Sequence, residues 1–404
     1  MKKPELLAPA GNLEKLKIAL IYGADAVYAG GKNFGLRAFG DNFNEEELKA
    51  AVNFAHSMQR KIYITVNIFA HNEDIDALPD YLRFLDKIGV DAVLVSDLGV
   101  FSLVKELTNL EVHVSTQANV TNYKNAAMWQ KLGASRVVLA RELSNSEVNL
   151  IKNNCSVELE MFIHGAMCIS YSGRCYLSHY LTGRDGNKGQ CTHSCRWRYS
   201  LVEEKRPNEF FDVSEDERGA YIMNSKDLCL LPHLDKIIKS GVSSLKIEGR
   251  MKSVNYVAGV VKVYREAIDS YFESPADFKI RDEWKAELDK VAHRPYTTGF
   301  FIEDLNGTEI HDSSKAKQSS IFLGIVREFD SLTNTAIVEQ RGKIETGKTV
   351  EILQPQGQTF SQVLNDMRDE EGNLIDSAPH AQQIVKIKFN QPVKPWSLLR
   401  QSNC

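Results

Sequence analysis

No apolar run in these 404 residues approaches the roughly 20 needed to cross a bilayer. The opening MKKPELLAPAGN has two lysines but no apolar stretch behind them, so it does not read as a signal peptide. A cytoplasmic protein with no membrane partner is expected, and in that compartment clustered cysteines point to metal binding or catalysis rather than to disulfides. The formal charge of −4 singles out no partner class. No Gly-x-Gly-x-x-Gly follows the first candidate strand, which argues against a dinucleotide site. His-Glu-x-x-His and Gly-x-Ser-x-Gly are missing too, so zinc and serine hydrolases lose their usual marks. The Cys-x3-Cys-x2-Cys triad of radical-type cluster enzymes is also absent.

What is present is a weak repeat. A helical pattern ends in glycine, and an apolar strand follows within a few residues: YGADAVYAG at Gly23, IGVDAVLVSD at Gly89, LGASRVVLAR at Gly133 and SGVSSLKIEGR at Gly241. Glycine just past a helix is the common left-handed cap. Repeated units of this kind imply a parallel sheet. Eight candidate strands can be counted, at 5–8, 26–29, 61–67, 92–96, 112–116, 136–140, 157–164 and 244–248, with amphipathic helical patterns between most of them. The expected fold is therefore α/β: a TIM-like (β/α)8 barrel over residues 1–272, ahead of an open doubly wound sheet.

Strand alternation supports closure. Ile62, Ile64 and Val66 form one face, and Tyr63, Thr65 and Asn67 the other. Polar groups collect at C-terminal strand ends, where barrel active sites form: Asn67, Asp97, Gln117, Arg141, His164, Glu248 and Arg250. Asp97 and Asn67 read equally well as helix caps or loop anchors. Two guanidinium groups at separate strand ends, Arg141 and Arg250, suggest an anion site.

About 80 residues separate the seventh and eighth strands, far more than an ordinary connection, so residues 165–230 are an insertion. It holds Cys168, Cys175, Cys191 and Cys195 in the spacing C-x6-C-x15-C-x3-C, among loop-forming glycines. Structural zinc favours close C-x2-4-C pairs, and only Cys191–Cys195 fits. An irregular set of four on a catalytic barrel suits a [4Fe–4S] cluster better. Thiols buried as small hydrophobes are the plainer alternative. Cys229 could replace one of the four, whereas Cys155 and Cys404 look incidental.

The insertion is also basic, with Arg174, Arg184, Lys188, Arg196, Arg198, Lys205 and Arg206 set against Asp185, Glu203 and Glu204. Tyr171, Tyr176, Tyr180, Trp197 and Tyr199 are interleaved. That mixture suits single-stranded nucleic acid and equally a solvated loop with packing aromatics. The acidic run at 212–217 reads as a disordered or highly exposed hairpin. Residues 273–315 read as a helical connector. From 316 to 404 short strands and turn residues predict a small C-terminal antiparallel β-barrel.

The motifs EMFIHGAMC (160–168) and SGRCYLS (172–178) resemble the signature of the collagenase-like peptidase family of unassigned catalytic type, peptidase U family 32. LLAPAGN, GADAVYAG, HVSTQANVTN, CTHSCRWRY, YIMNSKDLC and SLKIEGRMKS extend the resemblance over nearly the whole chain. It implies two activities. The family was named for proteolysis, yet its better-defined members are oxygen-independent hydroxylases that carry an iron–sulfur cluster and take the hydroxyl group from prephenate. CTHSCRWRY and the appended β domain are most similar to the branch that hydroxylates the tRNA wobble uridine at C5. The resemblance implies cluster ligands Cys168, Cys175, Cys191 and Cys195, tRNA as partner, prephenate as co-substrate, and leaves room for a partner subunit of the same family. In some relatives the fourth cysteine lies downstream.

On that reading, Arg141, Arg174 and Arg250 are expected to hold carboxylates, with Gln117 and Asn67 as further substrate contacts. His113, His164 and Glu248 are the candidates for proton transfer. A peptidase would need a Cys–His pair such as Cys168 with His164. An RNA-binding assembly factor with no chemistry of its own is the third possibility.

Overall fold

The computed structural model describes residues 2–32, 34–35, 42–168, 174–197, 201–203, 206–211, 226–302 and 317–402. Eight parallel strands form the first unit: β1 (Glu5–Pro9), β2 (Ala26–Ala29), β3 (Lys61–Val66), β4 (Ala92–Val95), β5 (Glu111–Val114), β6 (Arg136–Val138), β7 (Glu158–Ala166) and β8 (Ser244–Ile247). Each pairs with the next in sequence. β8 then pairs with both β7 (Ser244↔Glu160) and β1 (Glu5↔Ser244), which closes the ring. The fold is the expected TIM-like barrel.

Local sequence explains the punctuation. Gly23, Gly89, Gly133 and Gly241, the four glycines of the repeat, all have positive φ (76–112°), so the chain turns there from helix to strand. Helix starts are fixed by side chains. Asn12 accepts from Lys15 N, Asn44 and Glu47 form a reciprocal box, and Asp97 accepts from Gly99 N and Val100 N. Asp97 is therefore a cap, the plainer of its two readings.

The barrel interior departs from the usual stack of apolar layers. Arg136 bonds Glu5 at 2.6 Å, Glu158 at 2.8 Å and Glu160 at 3.2 Å, and Lys246 bonds Glu160 at 2.8 Å. Glu5 also accepts from the Tyr63 hydroxyl at 2.7 Å. Aliphatic packing is displaced to the space between strands and helices, where Ile62, Ile64 and Val66 are buried as the alternation predicts.

After β7 the chain leaves the barrel and returns as a short strand, Asp227–Cys229, antiparallel to the extension of β7. Helix Val254–Glu273 follows β8 and covers the barrel. The connector is more than helical. Beyond helix Asp282–Asp289, Tyr296–Thr297 pairs with Asp227–Cys229 and extends the barrel's own sheet.

The C-terminal unit contains β9 (Ser320–Asp330), β10 (Thr335–Gln340), β11 (Thr349–Leu353), β12 (Phe360–Val363), β13 (Met367–Arg368), β14 (Ile384–Lys388) and β15 (Leu398–Ser402). They form one antiparallel sheet in the order β12-β11-β15-β9-β10-β14-β13, over a core of its own that includes Val338, Ile352 and Ile387. It docks on the barrel helices. The Tyr22 hydroxyl donates to Leu353 O (2.8 Å) and Trp396 O (3.0 Å), and Glu14 receives Arg327 and Arg341 at 2.5 and 2.6 Å. No helix among the described residues is long and apolar enough to cross a membrane.

Candidate active site

A cavity of about 130 Å³ opens at the C-terminal end of the barrel strands. Strand ends supply Thr65, Asn67, Ser115, Gln117, Arg141 and Glu248, and the insertion supplies the roof. Cys168, Cys175, Cys191 and Cys195 all line it. The insertion folds locally to bring them there. Helix Leu177–Thr182 and two single turns are tied by Ser178, whose hydroxyl donates to Arg184 O at 2.8 Å and accepts from Thr192 N at 3.0 Å. Asn187 donates to Cys175 O at 3.2 Å, and Phe69 N, on the barrel side, donates to Asn187 O at 3.2 Å.

Four thiols facing one cavity are the donor type an iron–sulfur centre takes. The His193 backbone N–H donates to the Cys191 sulfur at 3.4 Å. Among the described residues, no three His, Cys, Asp or Glu side chains are drawn together tightly enough to hold a single metal ion. The donors fit by kind and by common facing. Cys229 does not line this cavity. Its buried sulfur lies 3.9 Å from the Tyr264 hydroxyl, and burial pushes its thiol up to about 11.

Arg141, Lys246 and Arg250 bring positive charge to the lining, against Glu248. Arg141 lies 3.8 Å from the centre of the Phe162 ring and bonds Glu248 at 3.4 Å. Arg250 is 5% exposed and donates to Thr65 (3.2 Å) and Asn42 (2.5 Å). Asn67 donates to Ser115 and Gln117, each at 3.0 Å, so it is a cavity residue rather than a mere anchor. Arg174 is exposed and outside the lining, tied by its Nε to Gln117 O at 3.3 Å.

The two histidines are placed elsewhere. His113 lies inside the barrel below Ser115, edge-on to Tyr63 at 4.6 Å and 2% exposed. Burial lowers its pKa, partly offset by Glu111. His164 faces outward into a box formed by Tyr256, Tyr264 and Tyr296, with Nδ1 3.4 Å from the Tyr264 hydroxyl. Burial, helped by Lys252 and His293, lowers its pKa to about 3. Neither histidine lines the cavity, so the Cys168–His164 pair of the peptidase reading is not assembled there. Of the three proton-transfer candidates, only Glu248 is in place.

Sequence reasoning passed over Lys246, His193 and Phe162, all of which line the cavity. Lys246 had a signal: it shares a strand face with Glu248 and Arg250 at two-residue steps. On the insertion, Tyr176 (65%), Tyr180 (76%) and Trp197 (46%) are exposed, as are Arg174 and Arg184. Tyr171, Arg198, Tyr199, Glu204, Lys205 and the acidic run 212–217 lie outside the described residues.

Residues 11–311 match peptidase family U32, and residues 318–400 match the peptidase family U32 C-terminal domain. The chain is 45% identical over 402 residues to tRNA hydroxylation protein P1 of Bacillus subtilis, covering 99% of this chain and 95% of that protein. It is 39% identical over 360 residues to an uncharacterized protease of Methanocaldococcus jannaschii, covering 86% of each. It is 37% identical over 427 residues to tRNA hydroxylation protein P of Escherichia coli, covering 94% of this chain and 92% of that one. By both its barrel and its C-terminal sheet, the chain belongs to peptidase family U32.

Proposed function

We propose that this chain is a tRNA-modifying enzyme that hydroxylates C5 of the wobble uridine without dioxygen, with prephenate as hydroxyl source and an iron–sulfur centre on Cys168, Cys175, Cys191 and Cys195. The observation that carries the reading is one cavity lined by four cysteines and three cationic side chains, at the barrel end where catalysis is expected. The relatives named for tRNA hydroxylation cover nearly the whole chain, barrel and C-terminal sheet together.

The residues divide the work. Arg141 and Arg250 suit the two carboxylates of prephenate, because fixed guanidinium groups pair with carboxylates in a defined geometry. Glu248 is held beside Arg141 and can take or return a proton at the reacting base. Asn67, Ser115 and Gln117 form a hydrogen-bonded set whose amides can read a pyrimidine edge. A wobble base is already unpaired, so it can turn into the cavity at small cost, while Tyr176, Tyr180 and Trp197 offer stacking faces outside. The centre, when bound, would supply electron transfer or polarise the oxygen being moved.

The test is mass spectrometry of tRNA nucleosides from a strain lacking this protein and any paralogue. Loss of 5-oxygenated uridine derivatives is expected, with return on re-expression; an unchanged nucleoside profile removes the reading. A peptidase would retain cleavage in a metal-free, colourless preparation and lose it on Cys168→Ser.

A further inference from the structure

Barrel cores are normally filled by branched aliphatic side chains. Here a column of ionised groups runs from the cavity floor toward the opposite face: Lys246, Glu160, Arg136, then Glu5 and Glu158. Glu160 is fully buried, and Lys246 and Arg136 are 3% and 5% exposed. Taking such groups out of water is costly, and apolar replacements often do as well or better for stability. The column is therefore poorly explained as a device for holding the barrel together.

Its upper end is Lys246, which lines the cavity. The Lys246 ammonium donates to Glu160 at 2.8 Å, its one hydrogen-bond partner among the described residues. An ammonium has three donors, so two are left over. Glu160 in turn is shared with Arg136, so its negative charge is not spent on Lys246 alone. Both cations outweigh the effect of burial and hold the Glu160 carboxyl down at about 2. Aromatic faces complete the seat: Lys246 lies 4.4 Å from the Tyr28 ring centre and 5.3 Å from that of Phe162, the ring that also carries Arg141. A flexible side chain is thus fixed from two sides.

We propose that Lys246 is a binding residue for an oxyanion on the cavity ligand, a carboxylate of a small organic acid, and that Glu160 is the positioning residue that fixes its ammonium. A lysine tethered at the floor, with Arg141 and Arg250 at the strand ends above, makes a site graded in depth. Such a site accepts a small acid and leaves the sugar–phosphate backbone of an RNA outside. The inference rests on the reading above in taking prephenate as the acid.

Calorimetry with the full chain measures the affinity for prephenate, and filter binding measures that for unmodified tRNA. Lys246→Met is expected to weaken prephenate binding roughly 10- to 100-fold, the loss of a charge-assisted contact, while tRNA affinity stays within about twofold. Lys246→Arg keeps most of the affinity, and Glu160→Gln loses part of it with circular dichroism melting still cooperative. If Lys246→Met does not fold, the Lys246→Met/Glu160→Leu pair, which removes both charges together, takes its place. Unchanged prephenate affinity in the folded variant overturns the inference and leaves the hydroxylase reading standing. A matching loss in tRNA affinity alone assigns the lysine to backbone phosphate and overturns it as well. If the unaltered chain binds no prephenate, the donor assignment fails instead. Lys246 is then judged with malonate, and its binding must still fall in Lys246→Met for the inference to survive.

Discussion

A β-carbon added to Gly165 would stand 2.4 Å from the carbonyl oxygen of Glu248. The two strands that close the barrel touch there, just before the chain leaves for the cysteine excursion. Gly165 also has φ +108°, a conformation that L side chains avoid. Gly165→Ala is expected to cost at least about 2 kcal/mol in chemical denaturation and, on the proposed function, to lower the iron content of the purified protein, because Cys168 hangs three residues further on.

On the proposed function, Cys191→Ser should strip colour and bound iron without unfolding the barrel, since the cysteines sit on the roof rather than in the core. Visible absorbance together with thermal melting checks both halves. Retained iron in the variant would remove Cys191 from the ligand set.

Acid should loosen the fold through His164. His164 has a native pKa of about 3, below its ordinary value near 6.5, so the unfolded chain takes the proton first. Stability is therefore full above about pH 6.5 and falls as pH drops toward 3, at up to about 1.4 kcal/mol per pH unit. Urea midpoints at pH 7 and pH 5 test this above the range in which Glu160 titrates. His164→Phe, which keeps the aromatic box filled, should flatten the difference.

Arg400 is fully buried where the C-terminal sheet meets the connector; it bonds Glu287 at 2.5 and 2.9 Å and also pairs with Glu351. Arg400→Met would leave Glu287 buried beside Glu351 with only Lys290, among the described residues, to answer them. A loss of about 3 kcal/mol is expected. It should appear in scanning calorimetry as an earlier, separate transition of the C-terminal sheet.

The barrel strands were legible because four of them follow a helix-ending glycine, at Gly23, Gly89, Gly133 and Gly241, and others, such as 61–67, alternate. The same alternation misplaced His164. Counting in twos from Phe162 puts it inside, but the β7–β8 register shifts between Lys246 and Ile247, which brings His164 opposite Ile247 and turns its ring out to the helices. A one-residue irregularity of this kind leaves no mark in the pattern. His113 was misjudged in depth rather than direction, since it lies one inward step below the cavity. Lys246 lies short of the strand end, and the cavity reaches a layer down into the barrel to meet it. Tyr296–Thr297 is too short for any periodicity to show.

That two-residue strand has a mechanical meaning. It grips Asp227–Cys229, where the cysteine-bearing excursion re-enters the barrel, while Ser319 and Ser320 nearby are hydrogen-bonded to Asp289 and Lys290 of the preceding helix. The C-terminal sheet is thus tied, through one helix and one short strand, to the point where the excursion rejoins the barrel.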